Sequence, residues 1–222
     1  SLPPHFDLLH AARRVLKYRL AQTKLTILER EVLHFYRVGD IPGADIPERF
    51  FRFLRTGDGG LLTEVVEHNR HDIVTMSAFL GVLHGYVYMP AGEIDARVQL
   101  AVAQLKMRMQ DSEAALMLLR AVCESEIDTS WKWDAFILGA TILRRSGEFE
   151  EAEAWLRQAI GLNVIPALRQ GQAHLMLAKL YEHQFASYTK ALWHAKRATG
   201  TEPEGNLERR IERILAKKER AV

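Results

Sequence analysis

Leu9, Ala12, Val15, Leu16 and Leu20 recur at intervals of three to four residues, the spacing that gathers side chains on one face of a helix. A short strand, His5 to Leu8, is expected to run into it. Leu25, Leu28 and Val32 share a face of a second helix over Leu25 to His34. Turn-forming residues from Arg37 to Ile46 interrupt the pattern, and Pro47 suits the first turn of a third helix that carries Phe50, Phe51, Phe53 and Leu54. The run Thr56-Gly57-Asp58-Gly59-Gly60 stops that helix, and Leu61 to Glu67 begins another. The polar segment His68-Asn69-Arg70-His71-Asp72 then leads into a long apolar helix, Ile73 to Tyr88, which ends at Pro90.

From Gly92 onward the pattern changes to paired helices, which places a domain boundary near residue 90 and divides the chain into 1–89 and 90–222. Three segments of the second part align. Gln110-Asp111-Ser112-Glu113-Ala114-Ala115 with Leu119 and Val122 answers Gly147-Glu148-Phe149-Glu150-Glu151-Ala152 with Leu156 and Ala159; Tyr188-Thr189-Lys190-Ala191 with Ala195 and Ala198 is a weaker third copy. Ala115, Ala152 and Ala191 fall 37 and 39 residues apart, so this part resembles an array of tetratricopeptide repeats with slightly long connections. A small residue is needed where the two helices of a hairpin cross closely, and Gly147 suits the end of a first helix. Phe136, Gly139, Ala140 and Leu143 complete the middle copy. An irregular helical bundle is the competing reading. Trp131, Trp133, Trp155 and Trp193 all lie in this part and are expected to pack within the hairpins.

The 222 residues are 48% hydrophobic and 26% charged, an ordinary globular composition. The formal net charge is +2 and neither half is a polycation, so a generalised electrostatic footprint for nucleic acid or membrane is absent, while a local basic patch stays open. One cysteine, Cys123, excludes an intramolecular disulfide framework and a cysteine-based zinc site. With no signal-peptide pattern and no apolar run of membrane-spanning length, the chain is expected to be soluble and cytoplasmic. Its start at Ser1, without methionine, suggests a piece of a longer product.

No phosphate-binding glycine loop with lysine, dinucleotide fingerprint, nucleophile elbow or HExxH motif is present. Cys123 stands among Leu118, Leu119 and Val122, which suits a buried, inert thiol. Glu182 and His183 suit a structural hydrogen bond. His68 and Asp72 are four residues apart and would share one face of a helix, where a carboxylate could hold a divalent cation and an imidazole could activate its water. The plainer reading is that Asp72 favours an early helical turn and the histidines are solvated.

Asp7-Leu8-Leu9-His10 with Arg13-Arg14, Leu28-Glu29, Asp40-Ile41-Pro42-Gly43, Ile46-Pro47, and His68-Asn69 followed by Asp72 carry a wider resemblance. Over about residues 5 to 86 the sequence resembles the C-terminal half of the YprB-like group within the ribonuclease H-like, DEDD-type exonuclease superfamily, whose members also carry a helical repeat region. The resemblance implies a mainly α chain: an incomplete ribonuclease H-like α/β remnant followed by a tetratricopeptide-like helical repeat domain. It implies Asp72 as a metal ligand for Mg2+ or Mn2+, His68 as the catalytic histidine serving the attacking water, and DNA or RNA as substrate of a 3′ to 5′ exonuclease. The spacing of His68 and Asp72 is that of the superfamily's tyrosine variant. The remaining acidic motifs would lie upstream of Ser1, so residues 1–222 alone are expected to be inactive. The alternative is a non-catalytic helical-repeat scaffold that binds a protein partner.

Overall fold

The computed structural model describes residues 7–127, 129–162, 165–203 and 205–221. It is mainly helical, and among the described residues there is no strand. The chain divides into two compact units, Ser1–Pro90 and Ala91–Val222.

The first unit contains α1 (Leu8–Leu16), α2 (Leu25–Glu31), α3 (Ile46–Thr56) and α4 (Thr63–Tyr88), with short 3-10 turns at Gly43–Asp45 and Gly59–Leu62. The expected strand at His5 to Leu8 is not borne out where it can be followed. His5 and Phe6 lie outside the described residues, and Leu8 is already helical because the Asp7 carboxylate caps α1, accepting from the Leu9 N–H at 2.8 Å. The α/β character expected for this unit is therefore absent from its described part. Ala12, Val15 and Leu16 of α1 are buried, and α1 and α2 both pack against α4.

The polar segment expected to lead into a separate apolar helix is instead the interior of α4, a single helix of 26 residues. No proline interrupts it, and Glu67 pairs with Arg70 and His71 one turn on, which supports the helix across the polar stretch. Val65, Asp72, Thr75, Phe79 and Leu83 lie on one face at helical spacing. That face is polar in its middle and apolar towards its end, so apolarity alone does not outline the helix. α3 stops at Gly57, whose φ of +71° closes a left-handed cap with its N–H 2.7 Å from the Phe53 carbonyl. None of its residues is buried, and Phe50, Phe51 and Leu54 stand exposed.

The second unit runs α5 (Ala96–Arg108), α6 (Ser112–Glu124), α7 (Thr129–Ser146), α8 (Phe149–Gly161), α9 (Ala167–His183), α10 (Tyr188–Ala195) and α11 (Asn206–Arg220). Each helix packs against the next, in hairpins α5 with α6, α7 with α8 and α9 with α10, and α11 closes onto α10. Ala115, Ala152 and Ala191 are fully buried at the helix crossings. A left-handed turn residue precedes each of them by five positions: Gln110 at φ +63°, Gly147 at +85° and Ala186 at +50°. The recurrence is one of backbone geometry, and only one of the three copies uses glycine for it. At Gly139 the constraint is space: a Cβ there would stand 2.0 Å from the Trp155 ring, so α7 and α8 can approach this closely only at glycine.

Trp133 and Trp155 are buried as hairpin packing requires, whereas Trp193 is 49% exposed and does not fit that expectation. α11 is tied down by charge. The buried Glu182 of α9 accepts from Arg213 at 2.8 Å and from Lys217 at 2.9 Å.

Candidate functional site

Both site residues expected from the sequence, His68 and Asp72, lie one turn apart on α4 and face the loop that follows α2. That loop starts after Val32, the C-cap of α2, turns through His34 at φ +51°, and is anchored by the buried Ile41. It carries Arg37 and Asp40 over to α4.

His68 Nδ1 is 2.9 Å and 3.0 Å from the two carboxylate oxygens of Asp40. Since a carboxylate only accepts, Nδ1 carries a proton, and in the neutral ring Nε2 is then the acceptor. Nε2 lies 3.6 Å from Asp72 Oδ2, beside it but beyond hydrogen-bond distance. Asp72 therefore keeps one oxygen next to the imidazole Nε2, while its other oxygen accepts from Arg37 Nη2 at 2.6 Å.

Arg37 is the centre of the arrangement. Its guanidinium donates to Asp72, to Asp40 at 2.8 Å and to Glu29 through Nε at 2.8 Å, with its side chain only 8% exposed. Glu29 is almost wholly buried and also accepts from the Thr75 hydroxyl at 2.7 Å. Hydrogen bonding to Glu29 above all, helped by Asp40 and Asp72, pushes Arg37 above its ordinary value against the opposing effect of burial. Burial pulls Asp40 the other way, yet the hydrogen bonds from Arg37 and His68 together outweigh it and hold the carboxyl below its usual range. Three carboxylates thus share one guanidinium and one imidazole, leaving the cluster acidic.

His71, directly before Asp72, takes no part. It faces Phe35, with ring centroids 5.8 Å apart, and Glu67, with Nε2 at 3.3 Å. The half-buried Cys123 lies in the other unit, and burial pushes its thiol up to about 12, which leaves it a poor nucleophile. Glu182 forms the structural ion pairs described above.

Glu29, Arg37, Asp40 and Thr75 are the members of the cluster to which pattern reading assigned no role. One signal was available. Glu29 directly follows Leu28 on an apolar helix face, and a carboxylate in such a position requires a buried partner. The identity of that partner, eight residues on in a loop, carries no periodic signature.

The residues present do not by themselves make a metal centre: among the described residues no three histidine, cysteine, aspartate or glutamate side chains converge as metal ligands do. Asp72 offers one carboxylate, already half engaged by Arg37. No described helix is long and apolar enough to cross a membrane.

The "Uncharacterized protein YprB" of Bacillus subtilis (strain 168) is 26% identical to this chain over 197 residues. The alignment covers 87% of this chain and 46% of that protein, so the chain spans less than half the length of the relative it matches. No solved structure matches. A family model described as RNase_H superfamily matches residues 1–83, the segment that contains Glu29, Arg37, Asp40, His68 and Asp72, so this part of the chain is similar to that superfamily.

Proposed function

We propose that residues 1–222 form a portion of a metal-dependent 3′ to 5′ exonuclease-like protein that acts on DNA or RNA. The observation that carries this reading is the Asp40, His68 and Asp72 constellation inside the segment similar to the ribonuclease H superfamily. Asp40 acts on His68 as a carboxylate acts on the histidine of a catalytic triad: it fixes the tautomer and stabilises the imidazolium formed when Nε2 takes a proton from water. Asp72 is assigned as one carboxylate ligand of Mg2+ or Mn2+, completed by carboxylates from outside residues 1–222. Arg37 keeps these like charges together until such an ion is bound. The array α5 to α10 is assigned as tetratricopeptide-like, on the recurring hairpin, buried alanine and left-handed turn, and it offers a surface for a protein partner.

The experiment is an assay of the full-length protein on 3′-labelled single strands of DNA and RNA with Mg2+ or Mn2+. Asp72→Ala abolishes cleavage. His68→Ala and Asp40→Asn each lower turnover by about a hundredfold to ten-thousandfold, the usual contribution of a positioned base. His71→Ala leaves the rate near wild type, because its ring meets Phe35 and Glu67 and not the cluster. Full activity in the Asp72 variant overturns the metal-ligand assignment. Residues 1–222 alone are expected to be inactive, since no complete set of ligands converges among their described residues.

One observation favours a second reading. Arg37 already neutralises Asp72, as it would in a purely structural cluster, and the chain would then serve as a helical scaffold for a protein partner. A full-length protein that binds such a partner but shows no metal-dependent cleavage supports that reading.

A further inference from the structure

A cavity of about 510 Å3 opens among α8, α9 and α10 in the second unit. Its lining combines an aromatic surface, cations and a paired imidazole. Trp193, half exposed, is held from one side by the Arg197 guanidinium, 3.6 Å from its ring centroid. Arg157 and Lys190 add positive charge. The nearby carboxylate, Glu153, is engaged by Arg157 at 2.8 Å and by the Tyr181 hydroxyl, which leaves the surroundings net positive.

His174 and His194 also line the cavity, with Nδ1 atoms 2.8 Å apart. A hydrogen bond between two ring nitrogens needs one proton between them. One ring therefore carries the Nδ1 proton and leaves Nε2 as an acceptor; the other accepts at Nδ1 and carries its proton on Nε2. Burial pushes both imidazoles down, His194 to about 4, so the pair is neutral at pH 7 and can exchange its donor and acceptor roles.

The combination narrows the ligand. A metal cation is disfavoured by the net positive surroundings. A bare inorganic anion would leave the largely apolar walls and Trp193 uncovered, in a space well within the range of small-molecule sites. An apolar molecule would leave the cations unused. We propose that this cavity binds a nucleotide, with the base against Trp193 and the phosphate monoester towards Lys190 and Arg157. Stacking on an exposed indole tolerates any base, so selectivity would come from the phosphate and from whichever base edge meets the imidazole pair. The ligand could be a free mononucleotide or the phosphorylated end of a strand, which present the same chemistry. The site is built entirely from residues of the second unit and uses none of those in the carboxylate cluster of the first.

The test uses the whole 222-residue chain without divalent metal, with binding followed by tryptophan fluorescence and calorimetry. The probes are adenosine 5′-monophosphate, adenosine, inorganic phosphate and a short 5′-phosphorylated oligonucleotide. Adenosine 5′-monophosphate is expected to bind saturably and quench fluorescence, with adenosine and phosphate each weaker by about tenfold or more. The exposed Lys190→Glu is expected to weaken binding by about tenfold or more without changing thermal unfolding, and Trp193→Ala is expected to weaken binding by a similar factor. Trp193→Phe should retain binding while losing the quench. Tighter binding of the oligonucleotide than of the monophosphate assigns the site to strand ends; equal or weaker binding assigns it to free nucleotide. Asp72→Ala and His68→Ala should bind the monophosphate as wild type does, which separates this result from the outcome of the nuclease assay. Absence of saturable binding by both phosphorylated probes overturns the proposal, as does unchanged affinity in Lys190→Glu or phosphate binding as tightly as the monophosphate.

Discussion

The two units solve the problem of charge and apolar surface in opposite ways. In the second unit the apolar side chains of successive hairpins bury one another, and α5, α7, α8 and α9 each carry several almost fully buried residues. In the first unit most of the buried apolar surface belongs to α1 and one face of α4. Phe50, Phe51, Leu54, Val66, Ile73, Val74 and Leu80 remain exposed, while the best-organised interior feature is a set of ion pairs around Arg37. Hydrophobic packing is spread over many contacts and no single one is decisive. A buried charge cluster concentrates its stability in the residue that neutralises it, and an unpaired member is costly. The first unit should therefore be brittle at Arg37, while the second, which also holds the buried Glu182, has far more apolar packing to resist such a loss.

The largest expected effect tests that brittleness. Arg37→Ala leaves Glu29 buried without its counter-ion and should destabilise the first unit by about 3 to 5 kcal/mol. All four tryptophans lie in the second unit, so their fluorescence reports that unit alone while far-ultraviolet dichroism reports both. In a urea titration the dichroism should gain an early transition while the tryptophan midpoint stays in place. A tryptophan midpoint that moves with it means the units unfold together, and the comparison fails.

Acid should distinguish the units in the other direction. Glu182 is pushed up by its burial, but the hydrogen bonds from Arg213 and Lys217 and the charges around it win and hold it at about 2. With the folded value depressed, its stabilisation is complete above the ordinary value of 4.5 and is lost as pH falls from there towards 2. His194 is held at about 4 by burial first and by the neighbouring positive groups. The unfolded chain therefore takes up this proton first as pH falls below 6.5, which favours unfolding over the window from 6.5 to 4. The second unit should begin to lose stability near pH 6.5 and lose about 2 kcal/mol more through Glu182 by pH 3. Asp40 in the first unit, also depressed, acts only below its ordinary 3.8. Tryptophan-detected melting from pH 8 to 3 measures this, and a flat profile between pH 6.5 and 4 would count against the buried imidazole pair.

The smallest effect concerns the recurring turn. Gln110 and Ala186 adopt a left-handed conformation that costs a non-glycine residue about 1 kcal/mol, and the glycine at the equivalent position, Gly147, avoids that cost. Ala186→Gly should therefore raise the stability of the second unit by up to ~1 kcal/mol, less the added freedom of the unfolded chain. Gly147→Ala should lower it by a similar amount. If both substitutions shift the tryptophan melting point in the same direction, the three turns are not equivalent.

The sequence by itself determined that both units are helical and where the second crosses closely, but not that α4 runs unbroken through its polar stretch. A helix announces itself every three or four residues, and Ala115, Ala152 and Ala191 mark crossings that only a small side chain permits. It also singled out His68 and Asp72, because a four-residue spacing is local information. At Leu8, the described end of the strand expected over His5 to Leu8, the chain is helical for an equally local reason: the Asp7 carboxylate caps α1. Only the tertiary structure decided that Arg37 would reach Asp72 across 35 positions and Thr75 would meet Glu29 across 46. It alone turned Trp193 outward and set His174 against His194. Helical periodicity says which side of an element faces inward. Which charge meets which is set by how loops and helices pack, because a buried ion must find its partner at whatever sequence distance the fold brings one within reach.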